Sequence, residues 1–234
     1  WLLIYLDALA GLDRWNDIFT LLDENSVAGL SDSIRLMFLA RAAQKSGDSS
    51  KASENWTEMH RSLLYEKPEV VSFVASYTFR IGETEQAGKA YKILSERRET
   101  ALEGFLGLVR CTPKNSPAID IIPLYTDFLE VFPNMEEARN DLTYLQLLSN
   151  QNVFDASFVA HEALKKSPNS LATMSLSALA HLKNGDPALA DAIYKDKLIP
   201  WSTAPDPWKN VRAARSEEHT SELQSPCNLV CRLL

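Results

Sequence analysis

Residues 174–194 read Met174-Ser-Leu-Ser-Ala-Leu-Ala-His-Leu-Lys-Asn-Gly-Asp-Pro-Ala-Leu-Ala-Asp-Ala-Ile-Tyr194, and the fold is decided on this stretch. Ala178 is followed seven positions on by Gly185, and five further on by Ala190. Apolar residues recur at helical spacing on both sides of the glycine, which describes two amphipathic helices around a tight turn. Glycine suits that turn because a left-handed residue ends a helix there without a Cβ penalty. Asp186-Pro187 then opens the second helix, aspartate as N-cap and proline in the first turn, where its missing N–H is one of the orphans anyway. The same small–glycine–small triplet returns as Ala40, Gly47, Ala52 and as Ala75, Gly82, Ala87, two copies 35 positions apart. An all-α domain without repeats would show amphipathic helices but gives no reason for one triplet to recur at one period. A helical period near 34 means hairpins, each too small to bury its own apolar face, that stack on their neighbours.

Working outward, a large aromatic residue follows the second small position by four in each good copy: Trp56, Tyr91 and Tyr194. A degenerate fourth copy has Gly107 on its first helix and Ile121, Tyr125, Phe128 and Pro133 on its second, joined by a long turn, Thr112 to Pro117. A fifth has Tyr144, Ala156, Ala160, Ala163 and Pro168; Tyr144 is bulky for a small position, and Gln151 stands where the turn glycine is expected. A partial copy opens the chain, with Gly11 as the expected turn and Trp15 as hairpin packing.

These units resemble tetratricopeptide repeats over residues 1–198. The resemblance implies an all-α fold, a right-handed superhelical solenoid of antiparallel helix pairs with about five to six repeats. In that family the facing small residues let the two helices of a hairpin approach, and the first helices line a concave groove that binds a peptide or partner protein. Counting from the first small residue of each unit, the groove positions implied here are Met37, Arg41 and Lys45 (with Gln44), then Ser76, Phe79 and Arg80 (with Glu69 and Ser72). The count continues with Leu108 (with Gly104 and Cys111), Asp141 and Leu145 (with Leu148), and Leu179 and Lys183 (with Ser175 and Leu182). Such a groove is basic in its first half and apolar in its second, which suits an extended peptide or helix with an acidic end and an apolar end. Alternatively, the leucines meet further repeats as a superhelix closes. Some family members hold chaperone C-termini through a Lys/Asn clamp; Met37 and Arg41 stand at those positions, so the resemblance does not extend to that activity.

The end of the chain reads differently. Arg215-Ser-Glu-Glu-His-Thr-Ser-Glu-Leu-Gln-Ser225 resembles the conceptual translation of a sequencing-adapter oligonucleotide, and residues 215–234 are expected to be non-native. His219, Cys227 and Cys231 fall within that tail. Residues 199–214 read as a loop and the start of another helix, opened by Asp206-Pro207, with Trp201 and Trp208 flanking the prolines. Because the chain opens at Trp1 inside a helical pattern, an internal fragment of a longer protein is expected.

The whole chain has 234 residues, 45% hydrophobic and 24% charged, with a net charge of −7. Without the tail, 22 basic and 28 acidic residues remain, a net of −6. An acidic balance argues against a general nucleic-acid or anionic-membrane surface, which needs a basic face. No run of about 18 apolar residues suggests a membrane span. Cys111 alone remains outside the tail and is expected to be a packing residue.

No signature of catalysis or cofactor binding emerges: no glycine-rich phosphate loop, no nucleophile elbow and no H-E-x-x-H, since Lys165 stands where the second histidine belongs after His161-Glu162. His60, His161 and His181 read as isolated surface or packing residues, and Glu136 and Glu137 as first-turn carboxylates that favour a helix dipole. No enzyme, cofactor or metal is therefore expected. The expected role is a scaffold for a protein or peptide, without nucleic acid. Two alternatives are RNA binding by pentatricopeptide-like repeats, which read one base per hairpin, and a repeat region accessory to an enzyme domain outside this sequence.

Overall fold

The computed structural model of the chain describes residues 1–23 and 29–198, so residues 199–234, with their tryptophans, cysteines and His219, lie outside the described residues. The described residues form twelve α-helices and a π-helical turn, with no strand among them. By contacts the chain divides into two compact units, Trp1–Cys111 and Thr112–Leu234.

The first unit holds α1 (Leu2–Gly11), α2 (Trp15–Asp23), α3 (Asp32–Lys45), α4 (Ser49–Leu63), α5 (Pro68–Arg80), α6 (Thr84–Ser95) and α7 (Ala101–Cys111). α1–α2, α2–α3, α3–α4, α5–α6 and α6–α7 pack on each other, and α3–α5–α7 and α4–α6 also touch, which gives two layers. The turns are those the triplet specifies. Gly47 and Gly82 have φ of +84° and +86°, and the Asp48 side chain accepts the Lys51 N–H at 3.0 Å. The first hairpin differs. Gly11 is the last residue of α1, and Asp13 takes the left-handed position at φ +56°. A short polar side chain tolerates that region, and the Asp13 carboxylate also accepts the Trp15 indole N–H at 3.1 Å.

Glycine has a second use in α7. A Cβ at Gly104 would collide with the backbone of Ser95 and Leu94, and one at Gly107 with the Tyr91 ring. α7 therefore lies hard against α6, and Gly107 admits the aromatic residue of the preceding helix. Arg97, just past α6, donates to the carbonyls of Glu66, Leu63 and Leu64 at 2.9, 3.3 and 3.1 Å. It thereby supplies the end of α4 with donors that no residue of α4 itself offers.

The second unit holds α8 (Ala118–Val131), α9 (Glu136–Leu148), α10 (Val153–Lys166), α11 (Leu171–Lys183), α12 (Pro187–Ile193) and the π-helical turn Tyr194–Leu198. Here the Gly185 turn has φ +80° and the Asp186 side chain accepts the Leu189 N–H at 3.2 Å. Where glycine is missing, Asn150 and Asn152 take the left-handed positions, at φ +55° and +46°. α11 touches α9, α10, α12 and the π-helical turn, and every residue from Thr173 to Ala180 is buried. That explains its small residues: Ser175, Ser177, Ala178 and Ala180 fit a helix with neighbours on all sides. The repeated aromatics Trp56, Tyr91 and Tyr125 are buried, and Tyr194 is half-buried.

Candidate partner-binding surface

In the first unit, α1, α3 and α5 bring charged and aromatic side chains to one surface. Asp7 is the single charge in the apolar run of α1. Its carboxylate accepts the Tyr77 hydroxyl of α5 at 3.0 Å and the Arg80 guanidinium at 3.4 Å. Arg80 also lies over the Tyr77 ring, 4.9 Å from its centroid. Burial, and then the hydrogen bond to Asp7, push the Tyr77 hydroxyl up to about 12. Behind it, Phe38 and Phe73 pack on the same ring with centroids 5.3 and 5.7 Å away.

Arg41 of α3 completes this surface. Its guanidinium sits 5.4 Å over the Trp15 ring. Its Nε and Nη1 are buried and find no hydrogen-bond acceptor among the described residues. Buried donors without acceptors are costly, more so on a charged group. Arg80, Arg41 and Lys45, exposed one turn beyond Arg41, share this region with two carboxylates, Asp7, which Tyr77 and Arg80 engage, and Asp13, which Trp15 engages.

The implied groove positions reach very different depths. Lys45, Ser76, Phe79 and Arg80 are exposed, and Arg41 is half-buried. Met37 is not at the surface: its side chain is 0% exposed and belongs to the core of the unit. Leu108 is half-buried against that same core, and Gly104 is taken up by the contact with Ser95. Cys111 is half-buried, with its thiol pushed up to about 11 by burial, as a packing residue should be. In the second unit Asp141, Leu145, Leu179 and Ser175 are all buried. The Tyr125 hydroxyl donates to the Asp141 carboxylate at 3.4 Å. Lys183 remains at the surface and donates to the Asn150 side chain at 2.8 Å. In α9 and in α11 as far as Leu179 the counted positions Asp141, Leu145, Ser175 and Leu179 therefore turn inward, whereas Leu182 and Lys183 at the end of α11 reach the surface.

The histidines are not isolated. His60 on α4 lies 2.8 Å from the Gln86 side chain on α6; burial holds its imidazole below the usual range. His161 on α10 and His181 on α11 meet with their Nε2 atoms 3.1 Å apart. Glu136 sits in the first turn of α9 as expected and pairs with Lys166 of α10 at 2.8 Å.

Sequence reasoning missed Asp7, Trp15 and Tyr77 as parts of the surface. Asp7 did carry a signal, a lone charge in a helix otherwise apolar. Among the described residues no group of three or more histidine, cysteine, aspartate or glutamate side chains is placed to hold a metal ion, and no helix is long and apolar enough to cross a membrane. No protein-family model and no curated protein matches this chain.

Proposed function

We propose that this chain is a protein-interaction scaffold, a solenoid of about five to six tetratricopeptide-like hairpins, and that the α1–α3–α5 surface receives an acidic segment of a peptide or partner protein. Arg41 carries this reading: it is a half-buried cation that no carboxylate among the described residues pairs, and a carboxylate from outside the chain that reaches the open part of its guanidinium would supply one. A guanidinium takes a carboxylate through two parallel N–H groups, so such a ligand gains orientation as well as charge. Arg80 and Lys45 widen the positive field, and exposed Phe79 and Ser76 offer apolar and polar contacts beside it. The acidic balance of the rest of the chain repels an acidic partner elsewhere, which favours docking at this patch.

The test is fluorescence anisotropy with an array of labelled acidic peptides and their amide-neutral counterparts. Acidic peptides are expected to bind and neutral ones not. Arg41→Met should weaken binding about tenfold or more, since a hydrogen bond to a charged group is worth roughly 1.5–3 kcal/mol. Arg61→Met, on α4 and paired with Glu58, should leave it unchanged. Equal binding of acidic and neutral peptides would overturn the reading. So would single-stranded RNA binding in their place, which would turn it toward the pentatricopeptide alternative.

A further inference from the structure

The histidine pair in the second unit is unused by the proposed function, and its geometry is specific. His161 stands five residues before the end of α10, and His181 in the last turn of α11. Their rings meet edge to face, with centroids 4.7 Å apart and planes at 89°. The Nδ1 of His161 lies 2.6 Å from the carbonyl oxygen of Ser157, one helical turn back. A carbonyl can only accept, so Nδ1 of His161 carries the hydrogen. In the neutral ring Nε2 is then a bare lone pair, and it sits 3.1 Å from Nε2 of His181. Two nitrogens that close share either a hydrogen, with Nε2–H of a neutral His181 donating to the His161 lone pair, or a cation.

The spacing suits a metal. Two imidazole nitrogens bound at about 2.0–2.1 Å to a tetrahedral ion stand roughly 3.3 Å apart, within a few tenths of an ångström of the distance found here. The support behind His161 is also that of a metal ligand, its far N–H held by a backbone carbonyl that fixes the tautomer and ring orientation. Ser157 is itself held: it is buried, and its hydroxyl accepts the side-chain N–H of Asn184, the residue that caps α11, at 2.9 Å. Both helices therefore brace the pair. The two rings are half-exposed, which leaves the remaining coordination positions open to water or to a donor from another molecule.

We propose that His161 and His181 form an open two-imidazole site for a divalent transition ion of the zinc, nickel or copper class, clamping α10 to α11. Imidazole suits all three. Burial first, and then the neighbouring His161, hold the His181 imidazole below its usual range, so the neutral form a metal needs is present at neutral pH. The Asp186 carboxylate acts on His181 in the opposite sense and favours positive charge at the site.

The experiment uses the full chain and its four histidines as reporters. Zn2+ is titrated at pH 7.5 while the imidazole C–H signals are followed by NMR and the melting temperature by circular dichroism. His161 and His181 signals should move together, His60 should not, and the melting temperature should rise. His161→Gln and His181→Gln should each weaken Zn2+ binding more than about tenfold, because losing a ligand costs at least as much as losing an outer partner. The His60 signal and the far-UV spectrum report whether each variant is folded. A His219→Gln, Cys227→Ser, Cys231→Ser background should retain the response, which separates this site from donors in the tail. The proposal is overturned if Zn2+ leaves both rings unmoved at millimolar concentration, if only one ring responds, or if the thermal shift survives both glutamine substitutions.

Discussion

In the Trp1–Cys111 unit, positions counted from the repeat leave Lys45, Ser76, Phe79 and Arg80 exposed and Arg41 at the boundary. In the Thr112–Leu234 unit the same count lands on Asp141, Leu145 and Leu179, all buried, and reaches the surface only at the end of α11, at Leu182 and Lys183. The difference lies in the neighbours. α11 is enclosed by α9, α10, α12 and the π-helical turn, so from Thr173 to Ala180 it has no open side. α5 keeps one side open, toward which Phe79 and Arg80 project. A repeat count therefore picks out a helix, and the number of helices packed around it decides whether the counted position is exposed.

The sharpest way to break this comparison is to overfill the tightest contact of the first unit. Gly104→Val places atoms into the backbone of Ser95 and should cost about 3 kcal/mol or more, measured by urea unfolding, since backbone gives way less readily than a flexible side chain. Loss of under about 1 kcal/mol would mean that α6 and α7 do not approach as described. Next comes a test of depth. Leu145→Ala in the second unit should cost about 2–5 kcal/mol, because its side chain is 0% exposed and a cavity remains. Phe79→Ala, at 36% exposure in the first unit, should cost much less. Equal losses would erase the contrast between the two faces.

A smaller effect has the opposite sign. At Gly88 in α6 a Cβ would meet only the Cys111 Cβ, at 3.8 Å, an ordinary contact. Gly88→Ala should therefore stabilise by about 0.4–1 kcal/mol, mainly by restricting the unfolded chain. The pair Gly88 and Gly104 thus separates a glycine that space requires from one that it does not.

Smallest is the pH response, to which both units contribute. Burial is the first cause holding His60 and His181 below the usual imidazole range. Around His60 the charges of Lys89 and Glu85 act in opposite directions beside the Gln86 hydrogen bond; His181 faces His161 and Asp186. The unfolded chain then takes up protons near pH 6.5 while the folded chain still resists them. Stability from these groups is full above pH 6.5 and falls as the pH drops below it toward the folded values. Melting at pH 7.5 and 5.5 should show this decline, and His60→Gln should remove the part that belongs to the first unit. A melting temperature that rises on acidification would contradict the burial of both rings.

Much of the architecture was legible because its signals are local. The left-handed glycines at 47, 82 and 185 and the aspartate caps at 48 and 186 act within a few residues of their own positions. Asp13, Asn150 and Asn152 were harder to read, since short polar residues occupy left-handed positions as an alternative to glycine and carry no unique mark. The candidate surface was legible only in part. Arg41, Lys45, Ser76, Phe79 and Arg80 followed from counting, whereas Asp7 meets Tyr77 across 70 residues of chain. Likewise, His161 and His181 are 20 residues apart on different helices and share no spacing that a motif would reveal.

The sequence by itself determined that this chain is helical, that its helices come in hairpins, and where most hairpins turn. Those are consequences of backbone conformation and short-range hydrogen bonds, which each residue type biases on its own. Only the tertiary structure decided that Gly107 receives Tyr91, that Met37 and Leu145 point inward, that Arg41 keeps buried donors without an acceptor, and that two histidines converge. These depend on the rotation of each helix about its axis and on how many neighbours enclose it, and packing sets both through contacts that no local stretch of sequence contains.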